Sequence, residues 1–80
     1  PLVNEMHEVA KRAAKAVDES FSIHDFRMTI GEESVNVIFD LLVPVDCKMC
    51  AEDAEKAVTD KIRAEKPNTF CVIRVEHPFI

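Results

Sequence analysis

Glycine is nearly missing from this chain: Gly31 stands alone among 80 residues. Loops that cradle phosphates need several glycines so that backbone N–H groups can close on the ligand, and one glycine cannot build such a loop. No nucleophile elbow and no grouping of Ser, His and Asp is present either, so catalysis finds no footing in the sequence. Long hydrophobic runs are lacking, and none approaches the roughly 20 residues that a membrane-spanning helix requires. Basic clusters are lacking too. With Lys+Arg 10 against Asp+Glu 15 the formal net charge is −5, which argues against nucleic acid as a partner, because its phosphates are held by basic patches. Divalent cations suit this chain better than phosphates. There are no repeats, linkers or low-complexity segments, and no signal-like segment precedes the first helical pattern. The chain opens on Pro1 and Leu2 rather than on Met, so residues 1–80 are expected to be a single domain excised from a longer protein.

What remains is the composition of an ordinary globular domain, 48% hydrophobic and 31% charged. A domain this small buries only about 60% of the surface its unfolded chain exposes. Its core therefore needs a supplement, for which a dimer partner or a bound metal are the natural candidates. The three cysteines cannot all pair, and without a secretory segment they read as free thiols in a reducing compartment.

Leu2, Met6, Val9, Ala13 and Val17 recur at spacings of three and four, with Glu5, Glu8, Lys11, Arg12 and Lys15 between them. That spacing predicts an amphipathic helix, which lapses at the loop-forming DESFS, residues 18–22. From Ile23 the period becomes two. Phe26, Met28 and Ile30 alternate with Asp25, Arg27 and Thr29, GEES makes a turn, and Val35, Val37, Phe39, Leu41 and Val43 resume the alternation as a β-hairpin. The other face of the second strand, Asn36, Ile38, Asp40 and Leu42, is half apolar, so the strand is expected to be covered on both sides. Ala51, Ala54, Val58 and Ile62 mark a second helix with Glu52, Asp53 and Glu55 in its first turns, where carboxylates complement the helix dipole. Pro67-Asn68 stops it, and a last strand runs from Thr69 to Glu76. The expected class is α+β, a ferredoxin-like αββαβ order with two helices on one face of a three-stranded mixed sheet, the last strand parallel to the second. A second copy could dock on the bare face.

Two groups of residues carry candidate chemistry. DCKMC, residues 46–50, holds Cys47 and Cys50 at CxxC spacing before the second helix. A helix N-terminus lowers a thiol pKa, which suits soft-metal binding or redox work, but one CxxC supplies only two of the four ligands a structural zinc needs. The alternative is packing or incidental placement. The motif also resembles the loop of heavy-metal-associated domains, although there two strands, a helix and another strand follow it, against one helix and one strand here. Cys71, on an apolar strand face, reads as a core residue. The second group is Asp40 in mid-strand, Arg74 and Glu76 on the corresponding face of the last strand, and His24-Asp25 ahead of the first strand. Polar residues inside apolar strands need partners, since an unpaired buried polar group costs on the order of 1 to 3 kcal/mol. Imidazole with carboxylates fits zinc, manganese, iron or cobalt. The competing reading is an ion-pair network in which Arg74 neutralises Asp40 and Glu76. His7 reads as a solvated surface residue, His77 as a spare ligand or nothing, and Glu52 and Glu55 as surface charges.

SIHDFRM, then the hairpin into VNVIFDLLVP, the helix ending EKPN and the strand CVIRVEHP together resemble the C-terminal cytoplasmic domain of cation diffusion facilitator transporters. The resemblance runs from about Phe21 to His77, and the first helix also fits. It implies a small αββαβ domain that follows six membrane helices and forms a V-shaped homodimer on the cytoplasmic side of a cell membrane. It further implies that bound divalent ions favour the closed dimer, while the transmembrane domain of the same chain exchanges metal, zinc first, for protons. On that resemblance His24 matches a ligand opening the first strand. Asp40 stands where many members carry a ligand histidine, Glu52 matches a histidine of some members, and Glu76 matches an acidic ligand of the last strand. Arg74 departs from the pattern, because a guanidinium cannot coordinate a metal. Either a site is rebuilt around His24, Asp40, Glu76 and His77, or Arg74 replaces the metal and no cofactor binds. A soluble copper or zinc carrier using Cys47 and Cys50 is the alternative function, and a purely structural dimer module a third.

Overall fold

The computed structural model describes residues 2–77, so Pro1 and everything from Pro78 onward lie outside the described residues. Five elements follow one another: α1 (Leu2–Val17), β1 (Ser22–Ile30), β2 (Val35–Leu42), α2 (Ala51–Glu65) and β3 (Thr69–Glu76). Of the helix stripe read from spacing, Met6, Val9 and Ala13 are buried, with Ala10 and Ala14 beside them, while Val17 is half-buried and Leu2 is exposed. Small alanines at these positions let α1 sit close to its neighbours. Cys50 occupies the N-cap of α2 without a side-chain hydrogen bond to the helix, while Glu52 and Asp53 place carboxylates at its positive end. Past α2, the Lys66 N–H donates to the Ile62 carbonyl at 2.8 Å, and Pro67 follows.

The sheet order is β1-β2-β3. β1 runs antiparallel to β2 and β3 parallel to it, giving the mixed sheet expected from the order of elements. Gly31 N–H donates to the Ser34 carbonyl at 2.8 Å and closes the hairpin. A Cβ at Gly31 would stand only 3.3 Å from that carbonyl oxygen, so the single glycine sits where the backbone approaches itself.

Both helices cover one face of the sheet. Phe39, Leu41, Val43 and Ile73 from the sheet side meet Val9, Ala10, Ala13 and Ala14 of α1 and Ala54, Val58 and Ile62 of α2, with Phe21 closing the end. Burying each large apolar side chain contributes about 1.5–3 kcal/mol. Two ion pairs tie the antiparallel helices together, Arg12 to Glu65 at 3.2 Å and Lys66 to Glu5 at 2.9 Å. Both are exposed and screened by solvent, so each contributes little.

The first strand begins at Ser22 and includes His24 and Asp25, which the sequence reading set ahead of it. It is also irregular. His24 pairs with Asp40 and Arg27 with Ile38, so Asp25 and Phe26 together oppose Phe39. Asp25 has φ 55, in the left-handed region, which costs an L-residue roughly 1–2 kcal/mol and is least unfavourable for Asp and Asn. This β-bulge is how Ile23 and Phe26, three apart, both pack against the core. It also delivers His24 to the open face. His7 of α1 stacks on Phe26 with ring centroids 5.0 Å apart, and Phe26 in turn lies 6.2 Å from Phe39, so His7 is exposed yet held against the sheet.

Candidate functional site

The register decides which of the polar strand residues meet. β1 brings His24 opposite Asp40, and β3 brings Arg74 opposite Asp40 on its other side, so three side chains stand in a row across the open face. Neighbouring strands lie about 4.8 Å apart and opposed Cβ atoms about 5 Å apart. Each neighbour therefore lies within reach of the Asp40 carboxylate. Asp40 is half-buried, whereas His24, Arg74 and Glu76 are exposed. Glu76 stands two residues beyond Arg74 on the same face, in register with Leu42.

Beside this row lies an open depression of about 480 Å³, lined by Asp25, Phe26, Arg27, Asp40 and Arg74. Its formal charges balance, two carboxylates against two guanidinium groups. Arg27 is the member that sequence reasoning did not single out, and Asp25 entered that reading only beside His24. One signal was available: Ile23 and Phe26 are both apolar and three apart in a run that otherwise alternates, which marks a bulge between them. No ion pair joins Arg74 to Asp40 or Glu76 among the described residues, where the pairs formed are those between the helices. The expected surface network around Arg74 is thus not closed in this structure.

Among the described residues no three His, Cys, Asp or Glu side chains gather closely enough to hold an ion. His24 and Asp40 are neighbours across β1–β2, two side chains against the four ligands a structural zinc takes, and Arg74 on the other side of Asp40 offers no lone pair. Glu52 lies exposed in the first turn of α2, apart from this row.

His77 has a different task. Its Nδ1 lies 3.0 Å from the Val43 carbonyl, and since a carbonyl only accepts, Nδ1 carries the proton and donates. The Val43 N–H donates to the Glu76 carbonyl at 2.9 Å, so the imidazole reinforces the end of the β2–β3 pairing.

The cysteines do not converge on a common environment. Cys47 is half-buried against the core in the turn closed by its N–H to the Pro44 carbonyl at 3.0 Å, while Cys50 is exposed at the N-cap of α2. Cys71 packs against the core from β3. Burial pushes its thiol pKa up, against the opposing effects of a hydrogen bond with Thr59 and the charge of Arg63.

An αββαβ chain with both helices on one face of a mixed sheet, and an open face carrying its polar residues, has the fold of the cytoplasmic domain of a cation diffusion facilitator transporter. The particular likeness is to MamM-CTD, the C-terminal domain of MamM, in a doubly substituted form: TM-score 0.79 at 13% identity, covering 96% of this chain and 95% of that one. At that identity the likeness is one of fold. No family model matches the chain, and no curated protein matches it. No helix among the described residues is long and apolar enough to cross a membrane.

Proposed function

We propose that this chain is the cytoplasmic homodimerisation and regulatory domain of a proton-coupled divalent-cation efflux transporter. What carries the reading is a fold likeness that extends over nearly the whole of both chains. The open face of the sheet adds to it. Val72 and Phe70 are 57% and 56% exposed there, beside half-buried Ile38 and Leu42, and a domain this small gains from covering such a face with a second copy.

In this reading the transmembrane domain of the same chain carries the ion, and the present domain senses it from the cytoplasmic side. His24 and Asp40 offer two donors per copy, and a second copy completes the set. Zinc is the first candidate, and manganese, iron and cobalt suit the same imidazole and carboxylate groups. An ion held only by the closed pair would stabilise it by mass action, by about 2.7 kcal/mol at a hundred times the dissociation constant. His24 and Asp40 bind and orient, and the apolar face excludes water between copies.

Calorimetric titration with zinc and sedimentation of the same samples test this. The expected result is a dimer with saturable zinc binding that weakens in His24→Ala and again in Asp40→Ala. A monomer at all concentrations would remove the dimerisation role. Binding indifferent to both substitutions would remove this site.

A further inference from the structure

Charge alternates across the open face. Asp40 on β2 has Arg74 beside it on β3, and Asp25 and Arg27 line the same depression from β1. None of these four charged groups is joined in an ion pair among the described residues, where the pairs formed run between the helices. The apolar part of the face is uneven as well. Half-buried Ile38 and Leu42 lie on β2 and the exposed Phe70 and Val72 on β3, whereas His24, Arg27 and Thr29, their neighbours along β1, are polar.

A face that carries both signs side by side can complement itself. Two copies packed through it are related by a two-fold axis lying between the two sheets. With that axis running along the strands, between β2 and β3, each β2 residue lies over the second copy's residue from the same register of β3. Asp40 then lies over Arg74 of the second copy and Arg74 over its Asp40, and Ile38 and Val72 meet in the same way. An axis across the strands would set β2 over β2 and bring like charges together. One between β1 and β2 would leave Phe70 and Val72 uncovered. Stacked sheets lie about 10 Å apart, a gap that an arginine and an aspartate close by reaching from opposite sides.

From this we infer that the metal-free chain pairs with a second copy through the β2–β3 half of its open face, with reciprocal Asp40–Arg74 ion pairs between the copies and the Ile38 and Val72 side chains packed beside them. The inference rests on the homodimerisation half of the proposed function and adds the interface and its symmetry; no metal takes part. The apolar side chains supply contact area. The ion pairs fix which way the copies meet, because like charges set face to face are strongly unfavourable.

Sedimentation in excess chelator tests the pairing by charge exchange, with each variant checked for folding by circular dichroism. Arg74→Glu sets carboxylate against carboxylate in its own dimer, and Asp40→Arg sets guanidinium against guanidinium. Each alone should raise the dimer dissociation constant about tenfold or more. Mixed in equal amounts, the two restore both ion pairs and should associate nearly as tightly as the parent. A mixture no tighter than its components overturns the reciprocal pairing, as does either variant dimerising like the parent, while a parent that still dimerises leaves the homodimerisation role standing. A parent that is monomeric in chelator overturns the metal-free pair, and a dimer that forms only with zinc then keeps the regulatory role. Should Asp40→Arg not fold, Arg74→Gln carries the test. The parent dimer should weaken as salt rises and Arg74→Gln should lose most of that dependence, whereas equal salt dependence in the two overturns the ion pairs.

Discussion

Val37, Phe39 and Leu41 alternate along β2 with Ile38, Asp40 and Leu42, and the two sets of neighbours live in different solvents. The first set is fully buried beneath both helices. The second is half-exposed on the face opposite the two helices. Only the first has to be apolar for the domain to fold, and any apolar side chains of suitable volume will serve. This is why 13% identity is compatible with a TM-score of 0.79. Residues on the open face are free of that demand, so a charged row such as His24, Asp40 and Arg74 can be changed without changing the fold.

The contrast is sharpest at Phe39, which is 1% exposed. Phe39→Ala should cost about 3–5 kcal/mol, a large share of the 5–15 kcal/mol available to a whole domain, and urea unfolding would measure it. Val72→Asp on the other face should leave the unfolding midpoint of the monomer nearly unchanged while raising the dimer dissociation constant at least tenfold in sedimentation. If Val72→Asp unfolded the domain, the open face would be part of the core after all.

A smaller effect belongs to Asp25. Because it holds φ 55, Asp25→Gly should be neutral to mildly stabilising, and Asp25→Val should cost about 1–2 kcal/mol. Equal stability of the two variants would mean that the bulge relaxes. The smallest effect is on pH dependence. Glu5 titrates below its ordinary value because Lys66 hydrogen-bonds and attracts its carboxylate, and Asp18 does so because Ser20 donates to it from both hydroxyl and N–H. Both folded values lie below the unfolded ones, so their stabilisation is present above the ordinary carboxylate range and fades as pH falls through the depressed values. Melting temperature should fall slightly on acidification, and Glu5→Gln should flatten that fall. A melting curve that rose instead would reverse the assignment.

Much of this was legible from spacing. The stripe of α1, the even-odd split of β2, the carboxylates opening α2 and the faces of β3 all follow from periods of 3.6 and 2, which local sterics impose. His24 and Asp40 could be grouped from the sequence as polar residues of apolar strands, but their pairing could not, because strict alternation in β1 would set His24 on the same side as Phe26 and Met28. The bulge that corrects this arises from the pairing with β2, not from β1 alone. Likewise Arg12 meets Glu65 and Lys66 meets Glu5 across most of the chain's length, so only the packing of α1 on α2 could reveal them. Arg74 was visible as a charge in the wrong place, but its position directly beside Asp40 depends on the parallel register of β3.

Asp25 also makes the length of β1 adjustable at one point. It is the supernumerary residue of the bulge, so deleting it would let Phe26 pair with Phe39 and restore a regular ladder. Ile23, His24, Phe26 and Arg27 would each keep the side of the sheet they now occupy. Removal of any residue elsewhere in β1 would turn part of the strand over and send core side chains outward. The strand can thus shorten by one residue without refolding, losing only its kink and one carboxylate from the depression.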